Sequence, residues 1–285
     1  MKKVIVFGAG TMGSGIASWF ATRKVQVELV DQSMEFCSSA KEKVFASWDK
    51  LQAKGKFSAD EVITFKELFH LKDKNDISKD ADLVVEAIFE DLQIKKELFS
   101  FLDETMDSKT VIASNTSSFP MKDLSSDLTK ERKANFLGLH FFNPAPIMKL
   151  VEVISSPWTT PELATRLRDW FNQEGKKAAL VSDSPGFIVN RVARNFYGEA
   201  FRIIETADEA KCQELDSVMR EVGGFRMGPF ELMDLIGIDV NYDVTCSVWS
   251  AYDEHPRFAP HAIQKQMVDE KRFGKKSGRG FYSYD

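Results

Sequence analysis

Along the first two-thirds of the chain, short apolar, β-branched runs alternate with longer stretches whose apolar residues recur every three or four positions. The runs at 4–7, 25–30, 83–88, 111–113, 136–142, 150–154 and 178–181 predict strands. The stretches at 13–22, 38–54, 59–68, 92–106 and 161–174 predict helices. Strands separated by helices pair side by side in parallel, so the pattern predicts an α/β, mainly parallel, doubly wound sheet. Two helix starts carry their own signals. Ser58-Ala59-Asp60-Glu61 fits a capping box, and Thr160-Pro161 places a capping oxygen ahead of a first-turn proline.

After Ser184-Pro185-Gly186 the alternation stops. Helical periodicity takes over at 188–206, 214–222, 229–236, 242–253 and 260–271, with no strand pattern among them. The chain therefore divides into a doubly wound domain at 1–184 and an all-α domain at 185–285. Phe187, Phe196, Phe201, Ile203, Ile204, Met233, Leu235 and Trp249 load the second domain with large apolar side chains, which form either its core or a surface for a second copy.

Composition narrows the class without naming a chemistry. Apolar residues at 43% and charged residues at 28% are ordinary for a globular enzyme, and a net charge of −5 points away from nucleic acid. Cys37, Cys212 and Cys246 are odd in number and lack metal-ligand spacing, which suggests reduced thiols and no metal. The apolar run after Met1-Lys2-Lys3 ends at Phe7, too short for a secretion signal, and no run reaches membrane-spanning length. The expectation is a soluble cytoplasmic protein.

Candidate chemistry begins at Val4-Ile5-Val6-Phe7-Gly8-Ala9-Gly10-Thr11-Met12-Gly13. In a strand–turn–helix unit, Gly8 makes the tight turn, Gly10 lets backbone N–H groups approach a pyrophosphate, and Gly13 lets the helix pack on the sheet. The phosphates then meet the helix N-terminus, where unpaired N–H groups of residues such as Thr11 and Met12 favour an anion. The next strand ends in Asp31, 18 positions past Gly13. A carboxylate there accepts hydrogen bonds from ribose hydroxyls and repels a 2′-phosphate, so the Rossmann-type unit selects NAD over NADP.

A nicotinamide cofactor calls for a proton acceptor nearby. His140 ends the apolar run Phe136-Leu137-Gly138-Leu139, where open α/β sheets place their ligands. Glu152 stands between valines in the next run, where a carboxylate is costly to bury unpaired, and His140 is its plausible partner. Such a pair fixes the imidazole tautomer and stabilises the imidazolium formed when a hydroxyl proton is accepted. The cluster Ser114-Asn115-Thr116-Ser117-Ser118 offers either hydrogen bonds to a substrate oxygen or a cap for the following helix.

These motifs resemble the L-3-hydroxyacyl-CoA dehydrogenase family, close to its bacterial 3-hydroxybutyryl-CoA members. The resemblance is carried by the glycine turn, Val85-Glu86-Ala87-Ile88, Ser114-Asn115-Thr116-Ser117-Ser118 and Gly138-Leu139-His140-Phe141-Phe142-Asn143-Pro144. It continues through Asp183-Ser184-Pro185-Gly186-Phe187-Ile188-Val189-Asn190-Arg191, Gly228-Pro229-Phe230-Glu231-Leu232 and Gly274-Lys275-Lys276-Ser277-Gly278. It implies His140 as base, Glu152 as its holder, and Ser117 and Asn190 beside the substrate oxygens. Cofactor contacts are implied for Asp31, Glu90, Lys95, Ser117, Asn143 and Lys275. Acyl-CoA contacts are implied for Ser47 and Lys54, on a stretch that also carries Lys41, Lys43, Lys50 and Lys56 and that otherwise reads as a solvated face. A homodimer through the helical domain is the family's expected assembly. Phe119-Pro120 departs from the family's more usual aliphatic residue, so the shape of the acyl pocket is left open.

Three functions compete. Oxidation of a 3-hydroxyacyl-CoA leads. An NAD-dependent dehydrogenase of a free hydroxy acid resembling L-gulonate keeps the chemistry and drops the CoA contacts. A non-catalytic NAD-binding structural protein, of the lens-crystallin kind, would not need His140, Glu152, Ser117 and Asn190 together.

Overall fold

A computed structural model describes residues 1–204 and 206–284, which form two compact units, Met1–Ser184 and Pro185–Asp285. The first unit runs β1 (Lys3–Phe7), α1 (Thr11–Thr22), β2 (Gln26–Val30), α2 (Met34–Ala53), α3 (Ala59–Glu67), β3 (Phe69–Lys72) and β4 (Leu83–Glu86). It continues with α4 (Leu92–Thr105), β5 (Val111–Ser114), α5 (Met121–Leu124), α6 (Lys130–Ala134), β6 (Phe136–Phe141), β7 (Leu150–Ser155), α7 (Pro161–Gln173) and β8 (Lys177–Ser182).

One eight-stranded sheet has the order β3-β2-β1-β4-β5-β6-β7-β8. The first six strands pair in parallel, β7 runs antiparallel to β6, and β8 is parallel to β7. The reversal follows from chain length: only residues 142–149 join β6 to β7, too few for the crossover that a parallel partner needs. Strand β3 and helices α5 and α6 are additions to the elements expected from the sequence. The four residues of β3 pair with β2 at the sheet's edge, too short a run to show a period. Val4, Val6, Val27, Leu29, Val85, Leu137, Leu139, Val151 and Val153 on one face are buried, and so are Ile5, Val84, Ile112, Phe136 and Ile154 on the other, as expected of strands covered on both faces.

Ser58 and Glu61 form the expected capping box. Thr160 does not cap α7 with its side chain; its hydroxyl instead donates to the Ala134 carbonyl at 2.8 Å. Pro161 at the first turn, which lacks the N–H, still fits.

The second unit contains α8 (Val189–Ile203), α9 (Glu209–Glu221), α10 (Pro229–Ile236), α11 (Ile238–Ala251) and α12 (Ala262–Asp269). The predicted helix 188–206 passes Glu205, which lies outside the described residues. Helix α9 starts five residues before the expected 214 because Asp208 caps it, accepting from the Lys211 N–H at 3.1 Å. Phe201, Phe230, Met233, Ile238 and Phe281 are fully or nearly fully buried at this unit's centre. Among the described residues, no helix is long and apolar enough to cross a membrane.

Candidate active site

The glycine turn separates what the fold demands from what a ligand demands. Gly8 has φ +103°, and a Cβ there would lie 2.3 Å from the Ala87 carbonyl oxygen. A Cβ on Gly13 would lie 1.8 Å from the Gly8 carbonyl oxygen. A Cβ on Gly10 would meet nothing within 4 Å. Internal packing therefore accounts for Gly8 and Gly13 but not for Gly10, whose bareness suits a group approaching from outside. Gly10 also caps α1 without a side-chain bond, so the first-turn N–H groups of Thr11, Met12 and Gly13 face that same approach. Asp31 lies at the end of β2, and its Oδ2 accepts from the Ala9 N–H at 2.7 Å. These residues fit the adenosine and pyrophosphate portions of NAD.

His140 and Glu152 are directly opposed in the β6–β7 register, which puts both side chains on one face of the sheet. His140 Nδ1 and Glu152 Oε2 are 2.7 Å apart, with 6% and 1% of each residue exposed. With Nδ1–H donating to the carboxylate, neutral His140 carries its lone pair on Nε2, the arrangement a general base needs. The Phe142 ring lies 4.4 Å from the imidazole, centre to centre.

The cluster at 114–118 neither caps a helix nor stands loose. Ser114 donates to Glu86 Oε2 at 2.6 Å, and Asn115 Oδ1 accepts from the Phe141 N–H at 2.9 Å. Thr116 Oγ1 accepts from the Ser118 and Phe119 N–H groups at 3.2 and 3.1 Å. These bonds fix the loop carrying half-buried Ser117. Because Ser114 is in register with Gly138, that loop leaves the same sheet edge as His140.

Lys95 is not a solvated cation. It is 1% exposed, bonds closely to Glu86, and lies 3.1 Å from Glu90 Oε2. Glu86 also accepts from the Ile88 N–H at 2.8 Å. Burial pushes its carboxyl above the usual range, while Lys95, Ser114 and Ile88 pull it back. Glu90 accepts from Thr116 and, at 2.7 Å, from Ser118. Burial works against its charge, yet Lys95 and the two hydroxyls hold it below the usual carboxylate range. Glu86, given no role of its own from the sequence, carries the same signal as Glu152: a carboxylate set against the apolar run Leu83-Val84-Val85.

Asn143 is exposed just past β6. On α2, Ser47 is exposed together with Lys43, Lys50 and, at the C-cap, Lys54. Their spacing of four, three and four residues sets them along one helical stripe. Among the described residues, none of these lysines pairs with a carboxylate. Asn190 and Lys275 belong to the helical unit. Asn190 lies in the first turn of α8, where its carbonyl accepts from buried Arg194 at 3.2 Å. Lys275 begins a short 3₁₀ turn between Gly274 and Gly278, both at positive φ. The Phe281 and Tyr282 N–H groups behind that turn each donate to Asp234 at 3.0 Å.

Comparison with known proteins agrees along the whole chain. Residues 3–184 match the family model described as 3-hydroxyacyl-CoA dehydrogenase, NAD binding domain, and residues 186–284 match the 3-hydroxyacyl-CoA dehydrogenase, C-terminal domain. The chain is 41% identical to the 3-hydroxyadipyl-CoA dehydrogenase of Escherichia coli K12, covering all of this chain and 59% of that protein. It is 39% identical to the human mitochondrial hydroxyacyl-coenzyme A dehydrogenase, covering all of this chain and 91% of that one. The crystal structure of (S)-3-hydroxybutyryl-CoA dehydrogenase from Ralstonia eutropha superposes with a TM-score of 0.91 at 30% identity, covering 100% and 99% of the two chains.

Proposed function

From the premise that the chain belongs to the 3-hydroxyacyl-CoA dehydrogenase family, we propose that it oxidises an L-3-hydroxyacyl-CoA reversibly to the 3-oxoacyl-CoA with NAD. Short acyl chains such as 3-hydroxybutyryl are the favoured substrates. The observation that carries this reading is the buried His140–Glu152 pair at the sheet edge where the glycine turn lies. NAD supplies the acceptor for the hydride from substrate C3. His140 Nε2 takes the hydroxyl proton, and the Glu152 carboxylate stabilises the imidazolium that results. Ser117 orients the substrate oxygen from its fixed loop. Asn190 and Lys275 keep the substrate and cofactor roles that the family resemblance implies.

Glu90 and Lys95 border the cofactor. Their mutual pairing favours a role in shaping that border, with Glu90 the more accessible of the two. The Lys43, Ser47, Lys50 and Lys54 stripe favours a CoA thioester over a free hydroxy acid, because unpaired ammonium groups suit nucleotide phosphates. The reading includes a cytoplasmic homodimer joined through the helical unit, which exposes Val192, Ile203, Val218 and Val222.

The test is NADH formation from L-3-hydroxybutyryl-CoA against free L-3-hydroxybutyrate. The thioester is expected to react far better, and Lys54→Ala to raise its KM about threefold, more at low salt than at high. Equal rates with the free acid would move the assignment to the hydroxy-acid enzymes. No turnover of either would remove the catalytic reading.

A further inference from the structure

Lys176 lies between α7 and β8, and only 5% of it is exposed. Among the described residues no carboxylate pairs with it. Its ammonium instead donates to two backbone carbonyls, Ala145 at 2.5 Å and Met148 at 2.6 Å. Both belong to the connection 142–149 that carries the chain from β6, the strand of His140, into β7. The same nitrogen lies 4.8 Å from the centre of the Trp19 ring on α1 and 5.8 Å from that of Phe141.

The connection also rests directly on α1. A Cβ on Gly15 would lie 3.3 Å from Pro146 Cδ and 3.4 Å from Ala145 Cβ. Burial, with Arg23 adding to it, lowers the Lys176 pKa to about 8. A buried cation without a counter-charge is a standing penalty, so its place needs a reason beyond filling space. Asn143 stands exposed at the head of the connection, two residues before the Ala145 carbonyl that Lys176 holds.

We propose that Lys176 is a positioning residue for the cofactor: it ties the 142–149 connection to α1 and so sets Asn143 relative to the glycine turn. This rests on reading Asn143 as a cofactor contact. The imidazole of His140 is held separately, by Glu152 on β7. Loss of Lys176 should therefore weaken cofactor binding while leaving the base in place.

The test compares wild type with Lys176→Met, which keeps the stem over Trp19 and removes the donors. NADH affinity is read by fluorescence titration, fold by thermal melting, and KM for NAD and kcat by steady-state assay. Because the bonds lost are charge-assisted, Kd for NADH and KM for NAD should rise about tenfold. At the same time kcat should stay within about threefold of wild type. Lys176→Gln, which restores an N–H donor, should fall between the two.

A lowered melting temperature with unchanged NADH affinity overturns the proposal, as does an equal fall in kcat and kcat/KM. Failure of both variants to fold assigns Lys176 a structural role only and also overturns it. The NADH titration needs no turnover. A chain that binds NADH but oxidises no 3-hydroxyacyl-CoA therefore refutes the proposed activity and not this inference.

Discussion

Glu86 and Glu152 stand in one sheet, each closing or interrupting an apolar strand, each at most 1% exposed. Burying a carboxylate in such a place demands a cation or a full set of hydrogen bonds. Glu86 is matched to Lys95, with Ser114 and the Ile88 N–H filling its remaining capacity. Glu152 is matched to His140 across the strand pair. The partners differ in kind. An ammonium can only donate, whereas an imidazole that donates from Nδ1 keeps a lone pair on Nε2 able to accept a proton. One pair is suited to hold a border still, and the other to move a proton.

Substitution can separate those two roles. The largest expected effect is at the pair proposed to move the proton: His140→Gln should reduce kcat by about 10²–10⁴ with NADH affinity nearly unchanged. Near-normal turnover would end the comparison by removing the base. The next is at the holding pair. Lys95→Met leaves Glu86 buried without its cation, and removing one member of a buried pair typically destabilises by about 3–5 kcal/mol. Thermal and urea unfolding should show this loss. The double variant Glu86→Gln/Lys95→Met should be more stable than Lys95→Met alone, because the stranded charge is gone. If Lys95→Met instead leaves stability intact and abolishes only NADH binding, Lys95 contacts the cofactor directly and the contrast with His140 dissolves.

The same contrast explains what could be read from the sequence. The strands were legible wherever apolar runs alternate with amphipathic helices, as at β1, β2, β4, β5 and β6, but not at β3, whose four residues are too few to show a period. The reversal of β7 is marked by no residue within it; its only sequence signal is that the runs at 136–142 and 150–154 lie too close together for a parallel crossover. His140 with Glu152 could be read because a glutamate between Val151 and Val153 must find a partner. Glu86 gave the same signal, but its partner sits on α4, where a lysine reads as an ordinary solvated residue. Lys176 follows Gly175 and precedes another lysine, so nothing local marks it as buried. The cations that complete buried sites in this protein are visible only once distant segments are brought together.

The smallest of these effects is the one that dissects the proton-moving pair itself. Glu152→Gln keeps the side chain's size, and its amide oxygen can still accept from His140 Nδ1–H, so the tautomer with its lone pair on Nε2 survives. Only the negative charge beside the forming imidazolium is lost. Changing the partner that orients a metal-bound histidine commonly costs about 10–100-fold, and with the tautomer kept a loss of that order is expected here in kcat, with little change in NADH affinity; a flipped amide that donates to Nδ1 would cost about 10⁴. A loss of that size, well short of that in His140→Gln, would mean that orientation and charge each carry part of the catalysis. A loss as large as that of His140→Gln would mean that the amide has flipped or that the base works only against a full negative charge. No loss would mean that Glu152 serves to orient the ring alone. In that case Glu152 and Glu86 would have the same task of holding a partner in place, differing only in which residue they hold.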